Sequence, residues 1–203
     1  MMQVIVATRR TSQRPSSRDR MVASAAMLIR EKGLTGTSFG DVIEHSGAPR
    51  GSIYHHFPGG KTQLVEDAVR YAGEYIVGTI DRAAEDGDPV KVLRAFTAAW
   101  RRVLEDSDFR AGCPVVAVAV EAHEDESTLT AAVSDVFARW HESLVGLLRA
   151  RSVSEARSRR LAMTMVAAIE GAVVLCRATR SVQPLNDVGR ELETLLDEAL
   201  ASA

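Results

Sequence analysis

Apolar residues recur at helical spacing along nearly the whole chain. Val22, Ala25, Ala26 and Ile29 share one face of a segment from Ser17 to Lys32, and Gly33 follows as its stop. Leu64, Val65, Ala68, Val69, Ala72, Ile76 and Ile80 mark a long helix from near Lys61 to Glu85, which the Gly87/Pro89 neighbourhood breaks. Another runs from Pro89 to Asp106 with Phe96, Trp100 and Leu104 at one-turn intervals. Gly112-Cys113-Pro114 opens a short apolar helix. Further helices run from Ser127 toward Ala150, from Ser154 toward Thr179 and from Leu185 to Leu200. Val115 to Val120 is the one β-branched run and is too short to argue for a sheet. With no internal repeat and no heptad series, the pattern predicts an all-α fold of about nine helices.

Thr37 to Lys61 carries the most specific pattern. Ser38 is a good N-cap and a candidate DNA contact, and Phe39, Val42 and Ile43 then form the buried face of a short helix. Gly47 falls where that helix must end in a sharp turn. Pro49 suits the first turn of a second helix, where its missing N–H is not needed. On that second helix Ile53 and Phe57 point inward, while Arg50, Ser52, Tyr54, His55 and His56 supply donors and acceptors. A helix, a tight turn and a polar second helix describe a helix-turn-helix DNA reader. Arg50 has the forked donors that match guanine O6 and N7, Gly51 lets the helix approach the groove, and Ser52 adds a short donor and acceptor. His55 is a candidate for a base or a phosphate. His55 and His56 point about 100° apart on a helix and do not share a metal ion.

The formal net charge of −2 looks wrong for a DNA binder until it is divided. Residues 1–61 hold nine Lys/Arg against four Asp/Glu, whereas residues 62–203 hold sixteen against twenty-three. The basic part coincides with the helix-turn-helix, and it is the local field that a phosphate backbone meets. Residues 1–15 read as a flexible basic arm, whose Arg9, Arg10 and Arg14, with Arg18 and Arg20 beyond, are candidates for phosphate contact. Cys113 and Cys176 lie far apart without ligand spacing, as two buried thiols of a reducing compartment do. No uninterrupted apolar stretch of the roughly 18–20 residues needed for a span stands out, which predicts a cytoplasmic protein with no membrane partner. No nucleophile elbow, HExxH, Walker loop or GxGxxG with a following acidic residue points to an enzyme. No cofactor or metal is expected.

GAPRGSIYHHF (Gly47 to Phe57), followed by Lys61, closely resembles the signature of TetR-type bacterial regulators. Pro58-Gly59-Gly60 and the later GCPVVAVAVE (Gly112 to Glu121) are similar to the LmrA/QdoR branch. The resemblance implies a three-helix DNA-binding domain over 16–62 and a helical ligand-binding and dimerisation domain over 63–203. It gives Tyr54 and His56 to the DNA backbone or to packing, and Lys61 to a phosphate. Gly40 departs from the family, where a long polar residue is common. A ligand cavity is implied among Tyr71, Tyr75, Phe96, Trp100, Phe109, Cys113, Phe137, Trp140 and Met163, with Glu121, His123, His141 and Glu170 as candidates to orient the ligand. Small residues Ala168, Gly171 and Ala172, with Leu192 and Leu195 of the last helix, resemble the dimer-forming pair. The function implied is a homodimeric repressor that binds a palindromic double-stranded operator and is released by a small molecule, a planar aromatic compound or an antibiotic. The competing readings are a helical DNA binder without small-molecule control and a helical enzyme.

Overall fold

Short polar motifs set the helix ends. Ser16 accepts from the Asp19 N–H while Asp19 reaches back, and this capping box starts α1 (Ser17–Lys32). Ser38 and Asp41 do the same for α2 (Phe39–Ser46), which ends on Gly47 in the left-handed conformation (φ 62°) that glycine adopts without steric cost. After α3 (Ser52–His56) and the long α4 (Gly60–Ala84), Asp88 caps α5 (Pro89–Asp106). Pro114 opens α6 (Pro114–Glu121), and α7 (Ser127–Arg149), α8 (Glu155–Thr179) and α9 (Gln183–Ala201) complete the chain. The computed structural model describes residues 15–84, 87–123 and 126–203, and among them it holds nine α-helices and no strand. Arg9, Arg10, Arg14, Glu85, Glu124 and Asp125 lie outside the described residues.

The first three helices close over Met21, Ile29, Val42, Ile53 and Phe57, all essentially buried. That core continues without a break through Leu64, Val65, Ala68 and Val69 of α4 into the larger bundle. There α4 packs most extensively on α7, and α8 lies between α7 and α9. Gly73 makes the first approach possible, because a Cβ there would come within 2.7 Å of Val136. Trp140 of α7 seals the same contact by donating its indole N–H to the Gly73 carbonyl at 3.1 Å. The β-branched run Val115–Val120 is helical. Contacts of α6 with α1, α4 and α7 bury Val115 and Val118, and burial overrides the strand preference.

In α8 apolar residues occur on every side, so periodicity did not tell its faces apart. Ala172 (1% exposed) and Leu192 of α9 (2%) lie inside the protomer's own core, where little of either side chain is left for a partner to cover. Met163, Val174 and Leu175 point outward, each at least half exposed. Gly171 is exposed on α8 with open space beyond its Cα, and Ala168 and Leu195 are half-buried. By length and composition α8 is also apolar enough to cross a membrane; here it packs between two helices and leaves one face open.

Candidate nucleic-acid interface and ligand cavity

The helix-turn-helix differs from expectation at its second helix. Pro49 does not begin α3. Its carbonyl accepts from both the Ser52 N–H (2.9 Å) and the Ser52 hydroxyl (2.7 Å), so Pro49 to Gly51 form a turn and the helix starts at Ser52. Arg50 therefore stands in the turn ahead of α3, exposed, and the one donor of Ser52 is committed to that turn. Tyr54 is 70% exposed and rests edge-on against Phe39 at 5.8 Å. His55 is exposed, and His56 is half-buried against it.

Several candidate contacts turn out to be anchors. The Ser38 hydroxyl donates to the Asp41 carboxylate, so its donor serves the cap and is not free for DNA. That hydroxyl, with the Ser38 backbone and Lys32, holds Asp41 well below the usual carboxylate range. Lys61 donates to the Leu34 carbonyl at 2.8 Å and, as an ammonium, keeps further donors. Arg18 pairs with Asp67 at 2.6 Å and lies over the Phe57 ring, and Arg20 donates to Ser46 and Pro15 carbonyls. These two arginines hold α1 to its neighbours.

A cavity of about 120 Å³ opens between α1, α4, α5, α7 and the start of α6. Tyr71, Tyr75, Phe96, Trp100, Cys113 and Trp140 are on its wall. Three of the expected lining residues are not. Phe109 occupies a left-handed position (φ 57°) in the turn after α5, under the Arg180 guanidinium; Phe137 packs edge-on against Trp140 at 5.3 Å; and Met163 faces outward. Sequence reasoning missed Arg30 and Met27, which α1 contributes to the wall. A charged residue on a helix gives no signal of this kind, because most are solvated.

A second, smaller cavity of about 40 Å³ shares Ile76, Phe96 and Trp140 with the first and includes Glu170. Burial pushes the Glu170 carboxyl up to about 7, only partly opposed by its hydrogen bond with Cys113. Burial likewise raises the Cys113 thiol well above its ordinary value. His141 is not available to a ligand in this arrangement, since its Nε2 pairs with the Arg159 carbonyl at 2.9 Å. His123 is exposed.

Between the cavity and the helix-turn-helix runs α6. Its first residues, Pro114 and Val115, are cavity wall. Its last, Glu121, accepts from the Thr35 N–H (2.9 Å) and the Thr35 hydroxyl (2.6 Å) in the turn leading to α2. Burial alone would raise Glu121, but hydrogen bonds from Thr35 and Leu34 and the charge of Lys61 hold it below its ordinary range. Gly33 touches the same carboxylate so closely that any Cβ there would collide with it. The Gly112 N–H also donates to the Arg30 carbonyl at 2.8 Å, tying the start of α6 to the end of α1. Glu121 thus holds the turn before α2 and is not on the cavity wall.

Comparison with known proteins matches this organisation. Residues 22–68 match the model of bacterial regulatory proteins of the tetR family, and residues 89–191 match that of the transcriptional regulator LmrA/YxaF-like C-terminal domain. An uncharacterized HTH-type transcriptional regulator of Mycobacterium tuberculosis is 44% identical over 184 residues, covering 88% of this chain and 93% of that protein. The HTH-type transcriptional regulator LmrA of Bacillus subtilis is 31% identical over 181 residues, covering 89% and 96%. Among solved structures, a TetR transcriptional regulator from Legionella pneumophila superposes with a TM-score of 0.80 at 20% identity, covering 90% of this chain and 98% of that one, a likeness of fold. A head built around a helix-turn-helix, joined to a helical body of this kind, thus has regulators as its relatives: the chain belongs to the TetR family of bacterial transcriptional regulators, with an LmrA/YxaF-like C-terminal domain, and is a DNA-binding regulator and not an enzyme.

Proposed function

We propose that the protein is a cytoplasmic, homodimeric repressor that leaves a palindromic operator when a small, planar, largely apolar molecule enters the cavity among α1, α4, α5 and α7. The observation that carries this reading is α6, one short helix with its first turn on the cavity wall and its last carboxylate bonded to Thr35 beside the DNA-reading helices. A ligand that displaces Pro114 or Val115 pushes on the element that fixes the head. It shifts the population off DNA only by as much as its affinity differs between the two arrangements. The division of labour follows: residues 16–62 read DNA, and residues 63–203 sense and pair, with α4 common to both.

Pairing is supported by the open face of α8. Met163, Gly171, Val174 and Leu175 recur along one side of that helix and are exposed in the single chain. A contiguous apolar patch of this kind marks an association surface, and a second copy of α8 and α9 would make a four-helix interface across a two-fold axis. Two heads so held would present their α3 segments about 34–36 Å apart, one turn of DNA.

The experiment is a titration of labelled DNA flanking the gene with purified protein, followed by a panel of single-ring and fused-ring aromatic compounds. Release by one or more compounds, with quenching of tryptophan fluorescence in step, is the expected result. Specific DNA binding that no compound alters would favour a DNA binder without small-molecule control.

A further inference from the structure

The cavity wall holds two buried N–H donors that meet no acceptor: Arg30 Nε and Trp100 Nε1. The contrast with the other tryptophan is direct. Trp140 lines the same cavity, but its N–H is bonded to the Gly73 carbonyl. Buried donors are almost always paired, and leaving one unpaired is costly, so two on one wall call for a partner that arrives from outside.

Arg30 is the sharper of the two. It lies on α1, burial lowers its pKa, and the adjacent Glu31 only partly offsets this. Even so, a guanidinium stays protonated at neutral pH, so a positive charge is held at the edge of an apolar chamber. The Nε–H and a neighbouring Nη–H form the side-on fork that takes the two oxygens of a carboxylate. The rest of the wall suits a ring: Tyr71, Ile76, Phe96, Trp100 and Trp140 surround it. Burial raises the Tyr71 phenol, which keeps it a neutral donor. At about 120 Å³ the space is close to that of a cavity known to take benzene, about 150 Å³.

We propose that the effector is a small aromatic carboxylate, its ring between Phe96, Trp100 and Trp140 and its carboxylate on the Arg30 fork, with an acceptor atom in reach of the Trp100 N–H. This rests on the ligand-responsive reading above and narrows it to one chemical class. It also places the ligand's charge on α1 itself. The Arg30 carbonyl is the acceptor of the Gly112 N–H at the start of α6, so the anion bears on both elements that join cavity to head.

The test compares benzoate with benzamide, of nearly the same shape and no charge, on the full-length protein by tryptophan quenching and by release of bound DNA. Benzoate should bind at least tenfold more tightly. Arg30→Gln should weaken benzoate at least tenfold and leave benzamide within about twofold. Because Arg30→Gln removes a half-buried charge whose Nε–H meets no acceptor, thermal unfolding of the variant should occur at an equal or higher temperature, which separates loss of the fork from loss of the fold. Trp100→Phe keeps the ring and deletes the donor, and should cost benzoate a smaller factor. Equal binding of benzoate by Arg30→Gln and the parent chain would overturn the assignment. Release by neutral aromatics, with carboxylates inert, would overturn the anionic class and leave the sensor standing. Silence from every compound would count against both.

Discussion

At the residue scale, the useful distinction is between polar groups already bonded within the chain and those left open. Ser38, Ser52, Arg18 and Glu121 look from their types like contacts for DNA or ligand, but each has its bond inside the protein. Arg50 is exposed at the head of α3 and free to reach a base. Arg50→Ala should weaken specific binding by about 1–3 kcal/mol and relax the preference at one base pair in each half-site, read by competition with base-substituted operators. An equal loss on specific and random DNA would make it a phosphate contact. Glu170 gives a second prediction at this scale. Its carboxyl is pushed from an ordinary 4.5 to about 7 in the folded chain, so between those values the unfolded state loses its proton first and stability falls as pH rises. Below the lower value both states are protonated, and above the higher one the loss is complete, at about 3 kcal/mol. Glu170→Gln should remove that slope, and urea unfolding at pH 4 and pH 8 of both chains measures it. A parallel decline in the variant would place the titrating group elsewhere.

The elements were legible where local chemistry decides them. The Ser38 cap, the Gly47 stop, the Gly87/Pro89 break and the Ser154 start each stand at or beside an observed helix end. Pro49 misled, because proline fits the first turn of a helix and a tight turn equally well. The bond from Ser52 back to the Pro49 carbonyl decides for the turn. Faces were harder than ends. Met163 and Ala172 both belong to the apolar sequence of α8, yet one faces out and the other is core, which only the neighbouring helices determine. Arg30 was invisible, since its burial is a product of how α1 meets α4 and α6. The element with the most specific prediction is α6. Glu121→Ala removes both bonds to Thr35, so a ligand that still quenches tryptophan fluorescence should release DNA less effectively. Binding and release that stay coupled as in the parent chain would show that the signal travels by another route.

At the scale of the whole molecule, charge and apolarity divide the labour. The positive balance lies in residues 1–61 and the negative one in residues 62–203, so the charge along the sequence favours the phosphate backbone on the side of the helix-turn-helix. Among the described residues three exposed large apolar side chains, Met163, Val174 and Leu175, lie on α8, while Tyr54, Tyr75 and Val120 stand singly on other helices. Gly171→Glu adds a carboxylate where the single chain has open space, so the protomer should fold normally. Brought against a second copy, that carboxylate is desolvated without a partner, and the protein should sediment as a monomer with much weaker operator affinity. A variant that remains a dimer would remove this face of α8 from the interface.

On the proposed function, two identical heads read one symmetric site and cavity occupancy controls them. Hydroxyl-radical footprinting on the DNA selected by the purified protein, with and without a quenching aromatic compound, tests it most directly. Two protected half-sites related by a two-fold axis, centred about one helical turn apart and both lost together when the compound is added, are the expected result. Protection without two-fold symmetry, or a symmetric footprint unchanged at compound concentrations that saturate the quenching, would contradict it.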